Sequence, residues 1–118
     1  MEPVGLGVAS VSEIFHRNGE AAALQVILVD GSSLVWVVWT DWSLRVERRS
    51  ESGIPDYLWP EADYVRREVA GGGELAISRY HESFDKAGIR IGAELEVGDR
   101  VIRLRSSGGD LVVSQTTA

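Results

Sequence analysis

Two apolar stretches of the chain predict β-strands that differ in their burial. From residue 89 to residue 97, apolar residues alternate with polar or small ones. This period of two predicts a strand with one buried face and one wet face. The stretch from residue 22 to residue 29 is apolar at both kinds of position, apart from Gln25. It therefore predicts a strand that is central in the sheet or covered on both faces.

The two regions align with each other, which indicates an internal repeat. With two residues omitted in the turn after Asp30, the alignment runs on to the last predicted strand of each copy. The alternative is that two hairpin regions share only the alternation common to all strands. The aligned identical residues are Leu6 with Leu75, Glu13 with Glu82, Phe15 with Phe84, Gly19 with Gly88, Asp30 with Asp99, Leu44 with Leu111 and Val46 with Val113.

The repeat predicts a mostly β fold with about eight short strands. Each copy has the pattern of a meander with short connections, so its strands are expected to pair antiparallel. Two such meanders predict an antiparallel barrel or a two-sheet sandwich, because both arrangements limit exposed strand edges. The 118 residues are expected to form a single domain, with the copies at residues 6–47 and 75–114.

The connecting segment, residues 48–73, has a different pattern. It opens with polar residues and closes with three glycines. Between them, Pro60 is followed by acidic residues and then by arginines up to Val69, an order that favours a short helix. The segment is thus expected to be a short helix or irregular, and its large apolar residues are expected to hold it onto the sheet: Tyr57, Leu58, Trp59, Tyr64 and Val65.

The alignment also predicts an unusual face in the first copy. It places residues 35–38 on residues 102–105, where apolar residues alternate with arginines. Trp36 and Val38 fall on the arginines, so they are expected to face outward, and a large apolar outward face marks an interface or a covered patch. The connecting segment, a second copy of the chain, or a foreign partner or ligand are the three candidates to cover it. Tryptophan is also common at binding hot spots.

The next residues give the remaining candidate binding residues, Trp39, Asp41 and Trp42. Two tryptophans with an aspartate between them are typical of an apolar pocket that has one polar group. The alternative is a wide turn in which Asp41 bonds its own backbone while the indole rings fill the core.

Composition excludes several kinds of chemistry. The chain has no cysteine, which rules out disulfides and thiolate metal sites. A net charge of −6 argues against a nucleic-acid partner. No signal-peptide pattern or membrane-length apolar run is present, so we expect a cytoplasmic protein without a membrane partner. The two histidines, His16 and His81, have no spacing typical of a triad or a metal site, and we predict no catalytic residue, metal or cofactor.

Three hypotheses for function follow. The first is a non-enzymatic protein–protein interaction module, either an acidic inhibitor or immunity-type protein or a homodimer. The second is a small-molecule-binding β-barrel that uses the barrel interior or the Trp39–Trp42 region. The third is a hydrolase, which requires a histidine and a carboxylate in one cleft.

Overall fold

The alternating stretches form one antiparallel sheet of eight strands with almost no helix. The computed structural model describes residues 2–117. The strand order is β4-β3-β2-β1-β5-β6-β7-β8. The elements are β1 (Gly7–His16), β2 (Ala21–Leu28), β3 (Ser33–Val38), β4 (Leu44–Arg49), one 3₁₀ turn (Glu61–Asp63), β5 (Tyr64–Phe84), β6 (Arg90–Val97), β7 (Arg100–Ser107) and β8 (Asp110–Thr117).

Hairpins connect the strands within each half of the sheet, as the turn residues predict. Asp30 illustrates the chemistry, because its carboxylate accepts a hydrogen bond from the Ser32 backbone N–H at 2.9 Å. Gly31 follows with a φ of 89°, a conformation that is open to glycine at no steric cost. The antiparallel pairing that short connections predict is therefore confirmed.

Strand β5 joins the two halves. Its first part pairs with β1, and its last part pairs with β6. Ser10 lies opposite Gly71 and Val8 lies opposite Leu75, so β5 has extra residues at the point between them. Gly72 within this bulge has a φ of 78°. A bulge of this kind bends a strand, and here the bend lies between the half made by β1–β4 and the half made by β6–β8.

The prediction of a helix between residues 60 and 69 is wrong. Only the 3₁₀ turn is helical, and β5 begins at Tyr64. Residues 64–71 pair with β1, so the backbone donors and acceptors on that side of β1 find partners in a strand. The valines at positions 65 and 69 suit a strand better than a helix. Pairing with β1 thus outweighs a weak local preference for helix.

The inner faces of the two halves pack against each other and form the main core. Strand β2 contacts β8 and β4 contacts β6 across this core. Alternate residues of each strand contribute to it. The buried members are Val8, Val11, Leu24, Val26, Leu28, Leu34, Trp36, Leu44, Ile77, Ala93, Leu95, Val97, Ile102, Leu104 and Leu111.

The sheet is not closed into a barrel, which corrects one of the two predicted architectures. Strands β4 and β8 are the two edges of the sheet, and in the described structure they do not pair with each other. Four of the six residues of β4 are charged, with the sequence LRVERR. Charged residues are a common protection of exposed strand edges, so closure is not needed to protect this one.

A second, smaller core lies on the outer face of β1–β3. Ile14, Ala23, Val35 and Val37 form it, and residues from the connecting segment pack on top. We call residues 51–58 the strap. Two strand residues bind its backbone: the Gln25 side chain donates to the Gly53 carbonyl at 2.9 Å, and the Ser33 hydroxyl donates to the Glu51 carbonyl at 2.7 Å. Strand β2 is therefore covered on both faces, as its apolar pattern predicts.

The prediction that Trp36 faces outward is wrong. Trp36 is 0% exposed and belongs to the main core, while Val35 and Val37 lie on the opposite face under the strap. Strand pairing shows the reason. Leu24 pairs with Trp36, and the equivalent Ala93 pairs with Leu104. Trp36 therefore matches Leu104 and not Arg103, and an alignment error of one residue exchanges the two faces.

A polar network links the halves through the core. The Trp36 indole N–H donates to the Tyr80 hydroxyl at 3.3 Å, and that hydroxyl donates to the Glu82 carboxylate. Arg90 lies 2.8 Å from the same carboxylate and also donates to the Leu44 carbonyl at 3.2 Å. Burial and the hydrogen bond to Glu82 raise the pKa of Tyr80. The network connects β3 and β4 to β5 and β6, and so fixes how the two halves face each other.

Candidate binding surface

The structure separates the five residues that the sequence singles out. Trp36 is in the core, so no partner can contact it while the chain is folded. Val38 is half-buried and packs against the rim of the same core. Trp39, Asp41 and Trp42 lie in the turn between β3 and β4 and are exposed.

Hydrogen bonds within the turn hold its shape. The Asp41 carboxylate accepts from the Ser43 backbone N–H at 3.1 Å and from the Ser43 hydroxyl at 2.6 Å. These bonds hold the pKa of Asp41 below its ordinary value. The Trp42 backbone N–H donates to the Trp39 carbonyl at 2.8 Å, and Trp42 has a φ of 68°. Asp41 thus bonds its own backbone, but the two indole rings do not fill the core.

Four exposed aromatic residues lie in this turn, in the strap or next to the strap, and we call them the aromatic surface: Trp39, Trp42, Tyr57 and Trp59. Their exposed fractions are 53%, 61%, 45% and 79%. Trp39 and Tyr57 line one groove of about 320 Å³ together with Val38 and Leu58. Trp42 shares the turn of Trp39, and Trp59 follows Leu58 in the strap region. Three of the four tryptophans of the chain are therefore exposed around one end of the sheet.

A second groove continues the first. It has a volume of about 600 Å³ and shares Val38 and Leu58 with the groove beside Trp39. Two acidic residues, Glu20 and Asp110, line it, together with Tyr64. The combined surface has apolar and aromatic residues at one end and carboxylates at the other.

Arginines and carboxylates fix two of the aromatic rings. The Arg45 guanidinium lies over the Trp39 ring, 5.4 Å from its centroid. The Tyr57 hydroxyl donates to Glu47 at 2.8 Å, and Arg49 lies over the Tyr57 ring at 5.8 Å. Partial burial and this hydrogen bond raise the pKa of Tyr57. Rings that are held in this way lose little conformational entropy when a partner binds.

Tyr57 and Trp59 enter this surface although the sequence predicts that they hold the connection onto the sheet. Leu58 and Tyr64, together with Ile54, are the residues that pack on the sheet and hold the connection there. The only sequence signal for the other two was the density of aromatic residues between positions 57 and 64, and that density does not tell which rings remain exposed.

The histidines do not form a site with carboxylates. His16 is half-buried, and its Nδ1 accepts from the Asn18 backbone N–H at 3.1 Å. Among residues 2–117, neither His16 nor His81 lies within 4.0 Å of a carboxylate oxygen. The same part of the chain contains no cluster of three or more residues able to hold a metal ion. The geometry thus offers nothing that favours the hydrolase hypothesis.

One carboxylate, Glu13, is buried without full compensation. Burial raises its pKa above the ordinary value of 4.5, and Arg67 at 3.7 Å offsets this only in part. A raised pKa in the folded state means that stability is complete below about pH 4.5 and decreases as pH rises through the folded-state pKa. Glu13 therefore lowers stability at neutral pH.

We expect Glu13→Gln to be more stable than the wild type at pH 7, because glutamine has the shape of the protonated acid without its charge. The gain should shrink to nothing as pH falls toward 4 in urea unfolding followed by circular dichroism. Arg67 is exposed, so losing its ion pair should cost little. A gain that stays constant from pH 4 to pH 7 would rule out titration of Glu13 as its cause.

Among the described residues, no helix is long and apolar enough to cross a membrane. Comparison of the chain with models of protein families, with curated proteins and with solved structures found no match in any of the three.

Proposed function

We propose that this chain is a non-enzymatic protein–protein interaction module whose partner binds the aromatic surface. The exposure of Trp39, Trp42, Tyr57 and Trp59 carries the proposal, and two of these residues, Trp39 and Tyr57, line one groove. Exposed tryptophans are uncommon on surfaces that meet only water, and Trp and Tyr supply most of the binding energy in many interfaces. The arginines that lie over Trp39 and Tyr57 restrict the orientation of these rings before a partner binds.

Charge favours a basic partner. The chain has a net charge of −6, and Glu20 and Asp110 lie in the groove that continues the aromatic surface. Acidic rims accelerate encounter with basic proteins and add specificity. An acidic inhibitor or immunity-type protein fits these features, and such a protein would act in the cytoplasm or wherever its basic target is found.

A second copy of the chain is an alternative partner for the same surface. In a homodimer with twofold symmetry, the aromatic surface of one copy would contact that of the other. A small molecule is the second candidate function, because the groove beside Trp39 has about 320 Å³, at the lower limit of ligand pockets. Such a ligand would occupy this open groove, since the sheet is not a closed barrel with an interior.

We also propose that the two halves arose by duplication of one meander, packed in the manner of a sandwich. Leu24, Val26 and Leu28 fall on Ala93, Leu95 and Val97, and all six are buried in the main core. The outer faces of the two halves differ, since the strap packs on that of the first half. Such a difference is expected when two copies diverge after a duplication.

The test compares the protein with a variant that lacks two aromatic rings. We expect Trp39→Ser/Trp59→Ser to fold like the wild type, because both rings are largely exposed. Affinity-tagged wild-type protein should retain a partner from an extract of the source cells, and the affinity of the variant for that partner should be lower by about a thousandfold, since each of the two hot-spot rings contributes about 2 kcal/mol. Light scattering of the purified proteins identifies a homodimer in the same experiment.

Val4→Ser/Val29→Ser is the matched control. The two valines are 45% and 72% exposed and line neither the groove beside Trp39 nor the groove that continues it, so this variant also removes two exposed apolar side chains without touching the aromatic surface. It should keep the partner. A partner retained equally by all three proteins, or a wild type that stays monomeric and retains nothing, would contradict the proposal.

A further inference from the structure

The outer face of β5–β8 is the counterpart of the face that the strap covers. Ile14 pairs with Ala23 in the first half, and Ser83 pairs with Gly92 in the second. The next strands continue the match, with Val35 and Val37 in β3 and with Arg103 and Arg105 in β7. Positions that are apolar and covered in one half are thus small, polar or charged in the other.

No segment of residues 2–117 covers this second face. It forms an open groove of about 420 Å³, lined among others by His81, Ser83, Gly92, Arg103, Arg105 and Ser114. Gly92 lines the groove with backbone atoms only and pairs with Ser83 on one side and with Arg105 on the other. The groove therefore lies at the site where the first half binds a segment of extended chain.

Two arginines, Arg103 and Arg105, and one carboxylate, Glu94, line this groove, although the chain as a whole is acidic. Arg103 uses its Nε to donate to Glu94 at 2.9 Å, which leaves its other donors free. Arg105 is exposed, and within the described residues it has no carboxylate oxygen within 4.0 Å. A guanidinium in one groove with two serine hydroxyl groups, those of Ser83 and Ser114, is suited to bind a carboxylate through two parallel hydrogen bonds.

We propose that the outer face of β5–β8 binds an extended, acidic peptide segment of a partner protein, with one carboxylate on Arg105 beside Gly92. The strap supplies the precedent for an extended segment, because its carbonyls accept from Gln25 and Ser33 on the equivalent face. In the second half, Glu94 stands at the position of Gln25 and accepts from Arg103. Arg105, at the position of Val37, is therefore the arginine that selects an acidic segment by charge complementarity. This surface is separate from the aromatic surface, and the inference does not rest on the proposed function.

The probe for the experiment is a blocked octapeptide of alternating threonine and glutamate. Its binding to the isotope-labelled protein is followed by amide chemical shifts, beside a peptide with glutamine in place of glutamate and beside inorganic phosphate. We expect the acidic peptide to shift the amides around Gly92 and Arg105 and to bind at least about tenfold more tightly than the glutamine peptide. Arg105→Gln should remove most of this difference.

Arg79→Gln is the matched control. It changes the net charge equally, and Arg79 is an exposed arginine of β5 outside the groove. It should bind the acidic peptide like the wild type. Gly92→Ala keeps the charge but adds a methyl group 3.3 Å from the Leu104 carbonyl oxygen and 3.4 Å from the Ser83 Cβ, which crowds the groove beside Arg105 and should weaken binding. Equal loss in both arginine variants, no preference for glutamate over glutamine, or phosphate binding as tightly as the peptide would each overturn the proposal.

Discussion

Trp36→Arg is expected to unfold the protein. The Trp36 side chain is wholly buried between the two halves, and its indole N–H bonds the Tyr80 hydroxyl. Removing a buried tryptophan costs about 3–5 kcal/mol, and an unpaired guanidinium in its place adds the cost of burying a charge. Domains of this size have a stability of about 5–15 kcal/mol, so little or none should remain.

The measurement is urea unfolding followed by far-ultraviolet circular dichroism, together with the yield of soluble protein. Trp59→Arg is the matched control, because the same substitution at a ring that is 79% exposed should change stability by less than about 1 kcal/mol. Had Trp36 faced outward, as the alignment of the two copies predicts, both variants would be folded. A Trp36→Arg protein with wild-type stability would therefore mean that β3 has the opposite face toward the core.

Strand content could be predicted from the sequence because it depends on local patterns. The apolar run of β2 indicates a strand covered on both faces, and the alternation in β6 indicates one wet face. Burial agrees in both cases. The turns were also predictable, since Asp-Gly and similar pairs have few alternative conformations.

The faces of β3 could not be predicted in the same way. Side chains alternate with a period of two, so a single residue gained or lost in the turn before β3 exchanges inside and outside. The alignment omits two residues in that turn, but the pairing of Trp36 with Leu24 requires one. Every residue of β3 is apolar except Ser33, and nothing in the strand itself corrects the error.

Strand β5 and the aromatic surface depend on contacts between distant parts of the chain. Residues 64–71 are a strand because β1 offers them partners, and no local pattern contains that information. Likewise, Tyr57 is exposed because the strap turns Ile54 and Leu58 toward the sheet. A sequence shows that aromatic residues are dense there, but only the packed strap decides which of them remain exposed.

The strap should open when its main anchor is removed. Gln25 is 0% exposed, and its amide donates to the carbonyls of both Ser52 and Gly53. Gln25→Ala removes both bonds and leaves a space under the strap, which should destabilise its docking by about 1–3 kcal/mol. The main core lies on the other face of β2, so the sheet itself should remain folded.

Limited digestion with chymotrypsin measures this local opening. We expect cleavage next to Tyr57 or Leu58 to be about tenfold faster or more in Gln25→Ala, because proteolysis follows the population of the open segment. Gln115→Ala, a change of the same kind at an exposed position of β8, should be cut like the wild type. Equal rates in all three proteins would show that Gln25 does not hold the strap.

The same variant connects the buried anchor to the binding surface. Tyr57 belongs to the strap and lines the groove beside Trp39, so an open strap removes one wall of that groove. If a partner binds the docked strap, a saturating amount of that partner should slow the cleavage of Gln25→Ala, because binding lowers the fraction of molecules with an open strap. Cleavage that stays equally rapid with the partner bound would place the partner's contacts outside the strap.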